Sequence, residues 1–405
     1  MTFRVIPIIS RKCCNQHRIP SRSQLSFDHP RMSLPILPVE TWEQVIGSLN
    51  RYDRRSFCAC CLVCRSWVPI SRHYIYDTIF LVSSFQVAKF LKSLVCAETT
   101  PIGLYVNILR LHEGSGRSPR EQLWFSKALP TLSQCLPNVT NLTVDCIVPD
   151  TFDPSSWSAL LNGFLKVTSF SLFLCRFTSP TEVLQLIASF PRMSSLCITR
   201  LGFIEDPRRV VTDSMISPPP AELALLNVQQ MHVPFLLHWL TEHHIRIRSA
   251  TFTSVYSAGM ESIGKFAYQL GPSLEHLSLS EPETDRLRPV FAAEHFNLAA
   301  NTHLRSLDIN RMYAIGGLPW LSDLISQIKS EDLECVRFAI MAHTVALLQK
   351  VPWSQVDYIL SRFSSIRTVK FRFFMDLSLW KNAAIFVKTQ VPKLIDRGVH
   401  IEFEL

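Results

Sequence analysis

A trio of apolar residues recurs along most of this chain: one residue, a second three positions on, and a third two beyond that. It reads Val106/Leu109/Leu111, Val139/Leu142/Val144, Val167/Phe170/Leu172 and Met193/Leu196/Ile198. It returns as Ile247/Ala250/Phe252, Leu274/Leu277/Leu279, Leu304/Leu307/Ile309, Leu333/Val336/Phe338 and Ile366/Val369/Phe371. The middle residues step by 33, 28, 26, 54, 27, 30, 29 and 33 positions. The step of 54 is two units of 27, and Leu223/Leu226/Val228 is a weaker occupant of the gap. The last two members of each trio alternate as one face of a strand does. Between the trios lie amphipathic stretches of helical period, among them Glu182 to Phe190, Val233 to His243, Met260 to Leu270 and Leu318 to Ile328. A strand–helix unit of this size cannot bury its apolar face alone, so the units must stack on one another.

The expectation for residues 81–405 is therefore an α/β array: an irregular, leucine-rich-repeat-like solenoid of alternating short strands and helices. Its strands would line a concave face on which a partner is held. The asparagine or cysteine usual in such repeats is missing, and a general α/β domain is the competing architecture. Two stretches interrupt the pattern and are read as loops. Gly202 to Pro220 carries Glu205-Asp206-Pro207-Arg208-Arg209 and ends in three prolines, and Glu281 to Pro289 is shorter and charged.

Charge confines the remaining possibilities. The net charge is +8, but residues 1–33 hold Arg4, Arg11, Lys12, Arg18, Arg22 and Arg31 against Asp28 alone, or +5, leaving +3 for everything else. No basic body of the kind that attracts nucleic acid or an anionic membrane is expected. Residues 1–33 read as a disordered basic tail. A mitochondrial transit peptide and a downstream start at Met32 are the alternatives. No apolar run reaches the length of a membrane-spanning helix. Twelve cysteines without a secretory leader point to reduced thiols in the cytoplasm or nucleus. Most of them sit singly in apolar runs, as small buried hydrophobes do.

Residues 34–80 are organised differently. Leu37-Pro38-Val39-Glu40 opens a helix, because proline suits a first turn and Glu40 complements the positive helix end. Val39, Trp42, Val45, Ile46 and Leu49 then form one apolar stripe. Asp53 is placed to cap a second helix, in which Phe57, Cys60, Cys61, Cys64 and Trp67 share a face, and Pro69 is expected to end it.

Leu37-Pro38-x-Glu40, Ile46-x-x-Leu49, Asp53 and Leu62-Val63-Cys64-Arg65-x-Trp67 together resemble the F-box, a three-helix motif of about 40 residues. Tyr76 to Leu81 is similar to the short strand that often follows it. Arg54, where the family has an apolar residue, and Trp42, where an aliphatic one is usual, depart from the pattern. The resemblance implies docking on the Skp adaptor protein and, through it, a cullin. The rest of the chain would then select an unknown target protein for ubiquitination. Carried over by position, Leu37, Pro38, Ile46, Leu49, Leu62, Val63 and Trp67 would supply the apolar contact or its support, with Glu40 and Arg65 on its rim. The chain would be a substrate-recognition subunit and not itself an enzyme. An F-box-like scaffold acting outside a ubiquitin ligase is the alternative.

Other chemistries lack their motifs. Cys58-x-Cys60-Cys61-x-x-Cys64 invites zinc, but no second ligand pair follows, and helical packing explains the spacing. His238, His243 and His244 lie near Glu242 without a His-Glu-x-x-His arrangement. No nucleophile elbow or phosphate-binding glycine loop is present, and glycine supplies only 12 of 405 residues, against about 7% ordinarily. A hydrolase or transferase in residues 100–405 is accordingly a distant third reading. No catalytic residue, metal site or cofactor is expected.

Overall fold

The computed structural model describes residues 38–49, 53–95, 102–113, 124–148, 152–205, 216–229, 234–254, 259–280, 296–314 and 319–404. The tail 1–33, Leu37, Cys96 and most of both expected loops lie outside them. Among the described residues no helix is long and apolar enough to cross a membrane.

Fourteen strands are present among these residues. They are β1 (Thr78–Leu81), β2 (Ile108–His112), β3 (Asn141–Asp145), β4 (Ser169–Phe173), β5 (Arg176–Phe177), β6 (Ser195–Thr199) and β7 (Gly202–Phe203). There follow β8 (Leu225–Gln229), β9 (Ser249–Thr253), β10 (His276–Ser280), β11 (Ser306–Tyr313), β12 (Cys335–Met341), β13 (Thr368–Phe374) and β14 (His400–Glu404). Twelve of them make one parallel sheet in strict chain order, with β5 and β7 forming a separate short pair. The register aligns the middle members of the trios: Leu109, Leu142, Phe170, Leu196, Leu226, Ala250, Leu277, Leu307, Val336 and Val369 lie side by side. All thirty trio residues, the weaker Leu223/Leu226/Val228 included, are at most 4% exposed.

The first member of each trio stands before its strand, where the chain is tied to the preceding unit. The carbonyl of Thr140 accepts the N–H groups of both Thr168 and Ser169, and that of Thr168 accepts Ser194 and Ser195. The same two-donor contact repeats at Ser194, Ala224, Arg248, Glu275, Arg305 and Glu334. Arg311 adopts left-handed backbone inside β11, at a shift of register against β12, and at the C-terminal ends of their strands Cys146, Leu174, Arg200 and Ser254 do the same, with φ between 52° and 57°. This turn takes the chain out of the sheet, and the N–H groups of Cys146, Leu174 and Arg200 donate to the last carbonyl of the next strand.

Helices cover one face only. They begin with α1 (Val39–Gly47), α2 (Arg54–Val63), α3 (Trp67–Tyr76), α4 (Ser84–Val95), α5 (Trp124–Cys135), α6 (Pro154–Asn162) and α7 (Pro180–Ala188). They continue as α8 (Pro234–Glu242), α9 (Met260–Leu270), α10 (Pro319–Ser326), α11 (Val345–Leu348), α12 (Trp353–Leu360), α13 (Leu377–Gln390) and α14 (Pro392–Asp396). Those after β1 share a single continuous core with the strands. The four amphipathic stretches read from sequence correspond to α7, α8, α9 and α10. Helices α1 to α3 have a smaller core of their own, built on Ile46, Phe57 and Ile70. Ile79 and Leu81 of β1 both belong to the larger core, although the boundary drawn from sequence after residue 80 left Ile79 with the helices.

Two local expectations are corrected. The second helix does not run through to Trp67: it stops at Val63, Cys64 is extended, and α3 starts afresh. Pro69 therefore sits in a first turn, where its missing N–H costs nothing, and does not end a helix. The stretch Gly202 to Pro220 is anchored at both ends, since β7 pairs with β5 and both Pro219 and Pro220 are buried.

One buried polar contact fastens the last units together. Asp357 of α12 is 3% exposed, and its carboxylate accepts the backbone N–H groups of Lys393 and Leu394, both at 3.1 Å, at the start of α14. Asp357→Ala would orphan both donors, and a loss of about 2–4 kcal/mol is expected. Denaturant unfolding checks this, with Asp357→Asn recovering part of the loss through its remaining acceptor oxygen. A change within about 0.5 kcal/mol for the alanine variant would show the contact to be dispensable.

Candidate functional site

The helical unit presents an uneven surface. Asp53 caps α2 by accepting from the N–H groups of Arg55 and Ser56, so the helix starts where the sequence placed it. At the other end of α2, Leu62 is 86% exposed and Val63 63%. Leu62 is the most exposed large apolar side chain among the described residues, and the exposed Cys64 and Arg65 follow Val63. Pro38 and Glu40 are also exposed, at the start of α1.

The residues carried over by resemblance therefore divide. Pro38, Glu40, Leu62, Val63 and Arg65 face solvent. Leu49 and Trp67 are half-buried against the small core, and Ile46 is inside it. Trp67 packs on Trp42 with ring centroids 4.8 Å apart, which accounts for the aromatic residue at position 42. Arg54 turns away from this surface, because its guanidinium donates to the carbonyl of Thr78 in β1. The half-buried Tyr76 of α3 packs against the larger core, so Arg54 and Tyr76 both join the helices to the sheet.

A second surface lies on the helix-free face of the sheet. Its central row runs Arg110, Thr143, Ser171, Cys197, Asn227, Thr251, Ser278, Asp308, Arg337, Lys370 and Glu402 along β2 to β14. From β3 to β10 the row is small and mostly hydroxyl or amide, and from β11 on it is charged. In that charged part Lys370 bonds Glu402 at 2.8 Å, and Arg337 pairs with Glu404. Burial raises the Asp308 carboxyl above its ordinary range, an effect that the nearby Arg337 opposes.

The C-terminal ends of the strands converge on a cavity of about 440 Å³. Phe173, Thr199, Gln229, Asn310, Ala339 and Phe374 contribute to its wall, with Leu174, Arg200 and Ser254 from the left-handed turns and Arg311 from the irregularity in β11. Seven strand steps separate β4 from β13, which in a flat sheet would put those ends roughly 34 Å apart. One cavity touching both means that the sheet curls strongly with its open face inward. Crowding on the inside of that curve explains the serines and threonines of the central row. Within the cavity wall the Arg311 guanidinium donates to the Ser254 hydroxyl at 2.7 Å.

Neither a protein-family profile nor a characterised protein matches this sequence. No three of Cys58, Cys60, Cys61 and Cys64 come within ligand distance of one another among the described residues. His238 pairs with Glu242 at 3.1 Å, and His243 bonds the Trp239 carbonyl, as polar groups at a helix end do. The cavity was missed by sequence reading, since its residues are dispersed over 202 positions. The shared left-handed turn that builds it has no residue type of its own.

Proposed function

We propose that this chain is a substrate-recognition subunit of a Skp–cullin–F-box type ubiquitin ligase. In this reading residues 34–80 are the F-box and dock on the Skp adaptor. Residues 81–405 are a leucine-rich-repeat-like solenoid whose open face holds the protein to be ubiquitinated. The chain performs no chemistry itself and works in the cytoplasm or nucleus.

The observation that carries the reading is the exposed Leu62-Val63 pair. It lies where the family places its adaptor contact, at the end of a helix that is otherwise well packed. Supporting it is a division of surfaces: one apolar patch on a helical unit, and one polar, inward-curving face on an array that follows. A long face of small hydroxyl and amide groups can hydrogen-bond an extended or folded protein segment with little steric selection. The charged end from β11 to β14 adds register.

The test is isolation of the full-length chain from cells under native conditions. Stoichiometric recovery of the Skp adaptor together with a cullin is expected, and loss of both when residues 38–76 are deleted. Recovery of the cullin by residues 81–405 alone, or absence of the adaptor from the intact chain, would refute the assignment.

A further inference from the structure

At the end of β2 the sequence reads His112-Glu113, and at the end of β3 it reads Asp145-Cys146. The parallel register sets His112 opposite Asp145, so the two dipeptides lie side by side on the rim of the sheet. His112 Nδ1 is 2.6 Å from Asp145 Oδ2, and the Cys146 sulfur joins them, with all ligand atoms of the three within 4.8 Å of one another. The left-handed backbone of Cys146 is the ordinary turn of this array, so the thiol reaches the rim without special strain.

Glu113 follows His112 along the strand, lies outside this cluster of ligand atoms and is 5% exposed. Its Oε1 is buried without a hydrogen-bond partner, and so is Asp145 Oδ1. An orphaned Asp145 oxygen beside an imidazole and a thiol is costly for a plain ion pair. It is what a cation would use.

We propose that His112, Asp145 and Cys146 form a zinc site that clamps the ends of β2 and β3, with a solvent oxygen as the fourth ligand. One nitrogen, one sulfur, one carboxylate oxygen and one solvent oxygen are a ligand set suited to a borderline-soft, four-coordinate ion. Bonds of about 2.0–2.3 Å require neighbouring ligand atoms roughly 3.4 Å apart, so His112 and Asp145 separate by less than 1 Å as the ion enters. The proton of the Cys146 thiol is released to solvent on binding.

The experiment uses full-length protein stripped with a chelator and titrated with Zn²⁺ alone, and separately with Co²⁺. One zinc per chain and a thiolate-to-cobalt charge-transfer band are expected. Cys146→Ser should remove the band and weaken zinc by about 100-fold or more, and His112→Gln should weaken it similarly. A Cys61→Ser, Cys64→Ser variant should change neither. A measurement on the unaltered protein covers the case in which a variant fails to fold: zinc should slow alkylation of Cys146 and leave the exposed Cys64 unaffected. Absence of zinc binding by the parent, a band that survives Cys146→Ser, or loss of zinc with the Cys61/Cys64 variant would overturn the assignment.

Discussion

Truncating Leu62 and Val63 to alanine together should reduce affinity for the Skp adaptor by about 100- to 1000-fold and leave the fold intact. The two changes remove five carbons, worth about 0.8 kcal/mol each when buried against a partner, or roughly 4 kcal/mol in all. In the free protein the same atoms face water at 86% and 63% exposure, so little intramolecular packing is lost. Alanine is also a good helix former at the end of α2. The pair is a cleaner test than Trp67, which packs on Trp42 and on the core of Ile46, Phe57 and Ile70. Removing Trp67 would confuse lost docking with lost folding. Surface plasmon resonance against purified adaptor, alongside thermal unfolding, reads both quantities. Unchanged affinity with unchanged melting would remove this surface from the docking reading.

The largest stability effect is expected at Phe371. Its ring lies 5.5 Å from Phe338, 5.7 Å from Trp353 and 5.9 Å from Phe403, measured between centroids, and it is fully buried. Phe371→Ala should cost about 3–5 kcal/mol. The loss should be local, because β13 pairs only with β12 and β14 and an array of neighbours propagates damage weakly. Amide exchange should therefore quicken across residues 335–404 while β2 to β6 keep their protection. Uniform loss of protection along the sheet would mean that the array unfolds as one unit.

The sheet was legible because its interior repeats one spacing through all its central units. A residue buried before the strand and two alternating within it mark each unit, and even Leu223/Leu226/Val228 obeys. The outermost strands follow the rule imperfectly. In β14 the place of the first apolar member falls on Gly398, which has φ of 78°, so Ile401 and Phe403 were not read as a unit. In β1 the place falls on Tyr76, which also closes a helix, and most of the strand was grouped with the segment before it. The end of α2 was misread because a stripe of apolar residues continues through Cys64 to Trp67, and nothing in side-chain periodicity reports that the backbone turns extended there. His112-Glu113 and Asp145-Cys146 went unnoticed for a different reason: the pairing register, not the local sequence, brings residues 33 apart into contact.

The curl of the sheet has a consequence for how this chain can change length. An open stack of units can grow or shrink by whole repeats, since each addition only extends an edge. Here the rim folds back until β4 and β13 bound the same cavity, and one extra unit would lengthen the arc between those walls by about 4.8 Å. Insertions outside the β4-to-β13 arc escape this constraint. Descendants of such a chain would therefore hold the copy number of the arc constant and lengthen at its flanks, as a ring tolerates a longer clasp but not another link.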